Sequence, residues 1–280
     1  MCAGPVKALD EELSAGLYVV ATPIGNLGDL SPRAREVLRA AALVAAEDTR
    51  VSGKLLKLAE SQAKSISLTE HNVAERTPQV LAAAREGVVA LVSDAGTPVV
   101  ADPGARLVEA AHREGVPVFA IPGPSALAAA ISVAGFDASS VLFLGFLPRP
   151  KGERAARLKM AAASAQAVVF FESPNRLAAT LGELAELLDD PDVVVCRELT
   201  KVHEEVVRGR ASALVSRFEQ ARGECTVVVR SPERQEAAGA EVREYMAEMQ
   251  RAGARRSAAA AEAARRFGVA RDAAYAMWDA

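Results

Sequence analysis

Three clusters of charged side chains have the residue types needed to move a proton or hold an anion. They are Glu47-Asp48-Thr49-Arg50, Glu172 with Arg176, and Arg197-Glu198-Leu199-Thr200-Lys201. A carboxylate in each can accept a proton as a general base, and the arginines can clamp phosphates through their forked donors. Lys201 joins the candidate bases if burial lowers its pKa. The first cluster directly follows the apolar run Leu43–Ala46, so it belongs at the carboxyl end of an expected strand, where open α/β sheets bind ligands. The competing expectation is structural, because Glu/Arg clusters commonly form salt bridges or solvated faces. Glu47, Asp48, Arg50, Glu172, Arg176, Glu198 and Lys201 are therefore the catalytic candidates, with the base unassigned among them.

Three glycine- and proline-rich loops each follow an expected strand. They are Ala21-Thr-Pro-Ile-Gly-Asn-Leu-Gly-Asp29, then Ser93-Asp-Ala-Gly-Thr-Pro98 running on to Asp102-Pro-Gly104, and Ile121-Pro-Gly-Pro-Ser-Ala126. None matches a dinucleotide fingerprint or a P-loop, and the second and third carry no basic side chain, so a pyrophosphate clamp is not expected. Glycine in such loops lets backbone groups approach a ligand closely. Asp94 among bare carbonyls suits a cationic or ribose-bearing ligand better than an anion. Each loop alone also reads as an ordinary turn between strand and helix.

The elements that must hold these loops follow from the apolar pattern. Leu17–Ala21, Leu43–Ala46, Val88–Val92 and Val116–Ile121 are short apolar runs bounded by turn formers, which predicts buried strands. Between them, Ser31–Ala42, Ala74–Glu86 and Ala105–Glu114 have helical character, with Ser31 placed to cap a helix that starts on Pro32 and Asp102–Pro103 placed to repeat the device. Gly87 and Gly115 stand where helices should stop. Alternation at this spacing predicts βαβ units and a mostly parallel sheet. After Gly135–Phe136 the pattern restarts with strands at Val141–Phe146, Ala167–Phe171, Val193–Cys196, Glu204–Arg208 and Thr226–Arg230. Helices are expected at Arg154–Ala163, Asn175–Leu188 and Ala211–Arg222, too few for a parallel sheet, so the second sheet should be mixed. The expected division is an α/β lobe over 1–135, a second over 136–231, and a helical tail over 232–280.

Composition bounds the rest. Of 280 residues, 50% are hydrophobic and 25% charged, the profile of a packed globular chain. The net charge of -3 argues against broad electrostatic capture of nucleic acid. Cys2, Cys196 and Cys225 are odd in number and widely spaced, which excludes a disulfide framework and a C-x-x-C metal knuckle. His71, His112 and His203 stand far apart and outside H-E-x-x-H spacing, so no metal site is expected. No signal peptide or membrane span is read, which makes a reducing cytoplasm the expected location.

Taken together, the stretches TPIGNLGDLSPRA, AAEDTR, ALVSDAGTPVVADPG, IPGPSAL, FFESPNRL and RELTKVHEE resemble those of the ribosomal RNA small subunit methyltransferase I family. That family belongs to the tetrapyrrole methylase-like, class III, S-adenosylmethionine-dependent methyltransferases, and the resemblance runs from Leu17 into the C-terminal helices. It implies an α/β fold of two lobes with the cofactor, S-adenosylmethionine, in the cleft between them, usually as a homodimer. It also implies 2′-O-methylation of a cytidine in the decoding region of 16S rRNA, with the 30S subunit as the expected partner. Carried over by position, it places the cofactor against Pro23, the loop Ser93, Asp94, Ala95, Gly96 and Thr97, and Ser125 with Ala126 at a helix start. Phe171 and Thr226 of the second lobe would close the wall.

From Arg251 to Arg271 there are six arginines against one acid, Glu262, in a helix, a Gly268 break and a second helix. This pattern resembles a helix-turn-helix, and Arg255, Arg256, Arg265 and Arg266 are its candidate RNA contacts. The alternative is a capping bundle with solvated arginines. Two other functions remain at this level: a class III methylase acting on a small molecule such as a tetrapyrrole, and a non-catalytic ribosome-binding protein.

Overall fold

A computed structural model describes residues 13–231, 235–267, 269 and 271–278; Cys2 with the segment 1–12, Pro232 and the Gly268 break lie outside the described residues. In the first half, β1 (Gly16–Val20), α1 (Pro32–Ala40), β2 (Leu43–Ala46), α2 (Thr49–Leu58), β3 (Lys64–Ser67), α3 (Val73–Glu86), β4 (Val88–Val92), α4 (Ala105–Arg113) and β5 (Val118–Ile121) follow one another. The five strands pair in parallel in the order β3-β2-β4-β1-β5. Central β4 is buried at every position, which is why its sequence is an unbroken apolar run. Helices cover both faces. Val37 and Leu38 of α1 pack with Tyr18 and Val20 on one side, and Leu81 of α3 and Leu107 of α4 pack with Leu17 and Leu91 on the other.

The caps explain the helix starts. Ser31 accepts a hydrogen bond from Ala34 N at 3.1 Å, with Pro32 opening α1 as expected. Asp102–Pro103 does not cap α4: the residue before the helix is Gly104 at φ +128°, where a Cβ would stand 3.0 Å from Leu91 Cδ2. The chain must pass tightly over the core there, and the Asp102 carboxyl is used elsewhere. The apolar-run reading also omits α2 and β3. Asp48 caps α2 by accepting from Arg50 N, a role masked by its place in a charged cluster. β3 is a largely exposed Lys-Ser-Ile-Ser edge strand, so it has no apolar run to show.

The second half contains α5 (Ala126–Ala134), β6 (Val141–Phe146), α6 (Lys151–Ser164), β7 (Ala167–Glu172), α7 (Pro174–Leu187), β8 (Asp192–Arg197), β9 (Glu205–Arg210), α8 (Ala211–Leu214) and β10 (Cys225–Arg230). The sheet order is β6-β7-β10-β8-β9, parallel only between β6 and β7, and therefore mixed. Leu158 of α6 and Leu177 and Leu181 of α7 cover one face. The other face is covered by α5, whose Ala130 and Ala134 pack against Val169, Val194 and Val228. The long helix expected over Ala211–Arg222 is only the single turn α8 and a 3-10 turn at Ser216–Phe218. The tightening at Val215 lets Leu214 and Phe218 enter the same core.

Downstream, α9 (Gln235–Arg251), α10 (Arg256–Phe267) and α11 (Arg271–Ala276) surround a core of Val242, Met246, Ala259, Ala260, Ala263 and Ala274. Small alanines at these contacts let the helices approach closely. Among the described residues, no helix is long and apolar enough to cross a membrane.

Candidate active site

Because β4, β1 and β5 are parallel neighbours, their carboxyl ends open on one edge of the sheet. The three glycine- and proline-rich loops leave from these ends and are stitched together. Thr22 N donates to Gly96 O at 2.8 Å and Gly96 N returns the bond to Thr22 O at 3.0 Å. The Thr97 hydroxyl donates to Pro124 O at 3.1 Å. Gly96 sits at φ +83°, and a Cβ there would lie 3.3 Å from Ile24 Cγ2, so the crossing of two loops leaves room for backbone only. Pro23, Ser93, Asp94, Ala95, Gly96, Thr97, Ser125 and Ala126 thus share one wall.

Ser125 caps α5, accepting from Ala128 N at 3.4 Å, and α5 carries this wall to the second sheet. Thr226 of β10 stands opposite Phe171 of β7 and Cys196 of β8. Strand alternation puts all three on the α5-covered face, in line with Val169, Val194 and Val228. The Phe171 ring stands edge-on to Phe143 and Phe146, with centroids 5.0 and 5.5 Å away. Burial pushes the Cys196 thiol up to about 12 and the Cys225 thiol up to about 11, so neither offers a nucleophilic thiolate at neutral pH.

The charged clusters divide sharply once their partners are known. Asp48 N donates to Asp94 Oδ1 at 3.1 Å, tying the end of β2 to the wall. Asp48 caps α2 and takes the Arg50 guanidinium at 2.6 Å. Those hydrogen bonds hold the Asp48 carboxyl at about 2, so this residue and Arg50 occupy each other. Glu47 has the opposite electrostatics: burial, then the carboxylates of Asp94, Asp102, Glu70 and Asp48, push it above the ordinary carboxylate range. Asp102, read from sequence as a cap, is likewise raised by burial although it hydrogen-bonds the Ser93 side chain. It lines a cavity of about 340 Å³ with Glu70, His71, Pro103 and Arg106. No spacing rule marks Asp102; only the fold brings it from the far end of its loop back to Ser93.

Glu172 is buried and fully engaged. It accepts from the Thr180 hydroxyl and from Ser173 N, both at 2.8 Å, and pairs with Arg176 at 3.2 Å. Arg176 also donates to the carbonyls of Leu147 and Pro148. This cluster is a brace behind the segment 147–150. Glu198 accepts from Lys201 Nζ and from Glu224 N, each at 2.9 Å. Burial works to lower the Lys201 pKa, but hydrogen bonds and attraction from Glu198 and Glu224 outweigh it and hold the ammonium above its ordinary value. The expectation of a Lys201 base created by burial is therefore corrected: its neighbours keep the proton on. The same loop makes the contact between lobes, since Asn26 N donates to Thr200 Oγ1 at 3.1 Å. A Cβ on Gly25 would lie 2.8 Å from that oxygen, which explains glycine at this point of the first loop.

The four tail arginines are not equivalent. Arg256 stacks over Tyr275 at 4.1 Å and donates to its carbonyl, fastening α11 to α10. Arg266 lies 5.5 Å from the Tyr245 ring centroid and 5.4 Å from that of Phe267. Arg265 pairs with Glu262 yet stays largely in solvent, and Arg255 is exposed.

The family model described as Tetrapyrrole (Corrin/Porphyrin) Methylases matches residues 16–215. Ribosomal RNA small subunit methyltransferase I of Thermotoga maritima is 45% identical over 220 residues, covering 78% of this chain and 99% of that protein. The protein of the same name from Mesorhizobium japonicum is 46% identical over 222 residues, covering 78% of this chain and 76% of its own length. Among solved structures, uroporphyrin-III C-methyltransferase from Thermus thermophilus in complex with S-adenosylhomocysteine superposes with a TM-score of 0.54 at 21% identity, covering 76% of this chain and 96% of that one. That level of identity speaks for the fold.

Proposed function

The chain belongs to the tetrapyrrole methylase family, alongside the small subunit rRNA methyltransferases I, and from that premise we propose that it 2′-O-methylates a cytidine ribose in the decoding region of 16S rRNA within the 30S subunit. The observation that carries the reading is the wall made by three stitched loops with the Glu47 carboxylate at its edge, which among the described residues makes no ion pair. S-adenosylmethionine is the methyl donor, and its sulfonium makes the methyl group electrophilic without help from a metal. The wall suits it, because its loops present backbone groups at the strand ends and Asp94 sets a carboxylate at its rim. Pro23, the Ser93–Thr97 loop, Ser125 and Ala126 would hold it from the first lobe, with Phe171 and Thr226 closing from the second.

The protein's own residues must then hold the ribose 2′-oxygen in line at roughly 3–3.5 Å and take its proton. Glu47 is the carboxylate suited to that. Asp48, Glu172 and Glu198 each have their oxygens tied to a cation or to N–H and O–H donors, whereas Glu47 is raised toward the pH at which a base works best. Asp102 is among the carboxylates whose charge raises the Glu47 pKa. We place the enzyme in the cytoplasm as a homodimer, with Arg255 and Arg265 on the tail meeting rRNA phosphates.

The deciding experiment is transfer of labelled methyl from S-adenosylmethionine to unmethylated 30S subunits, naked 16S rRNA and uroporphyrinogen, followed by nuclease digestion. A nuclease-resistant dinucleotide containing 2′-O-methylcytidine supports the reading; a methylated base, or label on the tetrapyrrole alone, overturns it. Two variants test its parts. Gly96→Val puts a β-branched residue at positive φ, a strain of about 1–3 kcal/mol, and is expected to weaken S-adenosylmethionine binding by roughly tenfold or more in calorimetry. Unchanged affinity would show that the second loop is only a turn. Deleting 232–280, a segment whose helices have their own core, is expected to weaken rRNA binding and leave cofactor affinity within about threefold. Loss of cofactor binding would make the tail a structural part of the lobes.

A further inference from the structure

Phe146 ends β6 with its side chain 62% exposed, and the backbone around it is held more firmly than a surface turn requires. Before it, Gly145 sits at φ +62° in a break of the β6–β7 register, which turns the strand outward. Beneath it, Phe171 packs edge-on at 5.5 Å. After it, two side chains hold the carbonyls of three successive residues. Arg176 donates to Leu147 and Pro148, and Arg154 donates to Pro148 and Arg149 at 3.1 and 2.8 Å. Arg154 is buried and paired with buried Glu183, an arrangement whose desolvation cost makes it a poor choice for stability alone. This brace fixes an aromatic face in solvent.

The face is also in the right place. A Cβ on Gly145 would lie 3.7 Å from Ala101 Cβ, so Phe146 adjoins the first-lobe loop that carries Asp102 and the wall. Three and five residues further along the chain, Arg149 and Lys151 are exposed, and among the described residues neither makes an ion pair. A flat apolar face beside two unpaired cations is complementary to an unpaired nucleotide, which stacks its base and offers its phosphate. A single exposed phenylalanine needs no explanation by itself; the brace, the position and the cations together do. Resting on the reading that rRNA is the substrate, we propose that Phe146 is the stacking platform for an unpaired base at the target site, with Arg149 and Lys151 holding the adjoining phosphates.

The test uses the full chain and unmethylated 30S subunits. Phe146→Ala is expected to raise KM for the subunits by roughly 5- to 100-fold while S-adenosylmethionine affinity stays within about twofold, and Phe146→Trp is expected to restore KM. In a Trp278→Phe background, the introduced indole at 146 should be quenched by unmethylated subunits and not by S-adenosylmethionine alone. An unchanged KM in Phe146→Ala overturns the proposal while leaving the rRNA reading intact. So does a weakened cofactor affinity, which would make Phe146 part of the cofactor wall. Loss of a dimer in sedimentation without a change in KM overturns it too, assigning the face to a second copy of the chain. A wild-type enzyme that methylates no small-subunit RNA overturns the underlying reading, and the proposal with it.

Discussion

Glu47→Gln is expected to lower kcat for rRNA methylation by about 10²- to 10⁴-fold while S-adenosylmethionine binding remains near wild type. The substitution keeps the shape of the side chain and removes only its capacity to take a proton. A ribose hydroxyl is a weak acid, and a carboxylate at ordinary acidity would be a poor match for it. Glu47 is a better one because burial, then Asp94, Asp102, Glu70 and Asp48, raise its pKa. The sign of the pH dependence follows. The base acts deprotonated, so kcat rises as pH climbs through the Glu47 pKa, and that limb lies above the range of an unperturbed carboxylate. Asp102→Asn removes one of the charges that raise Glu47 and should move the limb to lower pH. Single-turnover rates across pH, with calorimetry for the cofactor, provide the measurement. A Glu47→Gln enzyme within about threefold of wild type would sink the assignment of this residue as base.

The second large effect is on stability. Arg154→Ala leaves the Glu183 carboxylate buried without its cation and removes the donors to Pro148 and Arg149. Arg154 and Glu183 side chains are only 10% and 11% exposed, so water replaces little of what is lost. The expected cost is about 3–5 kcal/mol, read as a lower midpoint in urea with an unchanged slope. Arg154→Met combined with Glu183→Leu removes both charges at similar volume and should recover most of that loss. The recovered protein would still lack the clamp on the segment 147–150, so its KM for 30S subunits should stay high. Full stability with a normal KM in Arg154→Ala would show that the pair neither supports the core nor braces the loop.

Several features were legible because they depend on neighbours along the chain. Leu43–Ala46, Val88–Val92 and Val141–Phe146 are strands at the expected bounds, and the first two are unbroken apolar runs because burial on both faces demands it. Ser31–Pro32 starts a helix because capping and a preset φ are local. Exceptions have equally physical causes. β3 is polar because it lies at an edge, and α2 was hidden because its cap, Asp48, sits among charges that suggested chemistry. Asp102 had the local pattern of a cap, yet the tight passage of Gly104 over Leu91 assigned that place to glycine.

The sequence by itself determined the α/β architecture with a helical tail, the motif resemblance and the three loops at strand ends, all of which follow from periodicity, turn chemistry and short contiguous stretches. Only the tertiary structure decided which charged groups are free to act. Glu172, Glu198 and Lys201 look as reactive as Glu47 in one dimension. A carboxylate's proton affinity, though, is set by what lies within a few ångströms in space, and those neighbours come from elements far apart in the chain. Thr180 and Arg176 occupy Glu172, Glu198 and Glu224 hold the proton on Lys201, and burial together with the charges of Asp94 and Asp102 raises the Glu47 pKa.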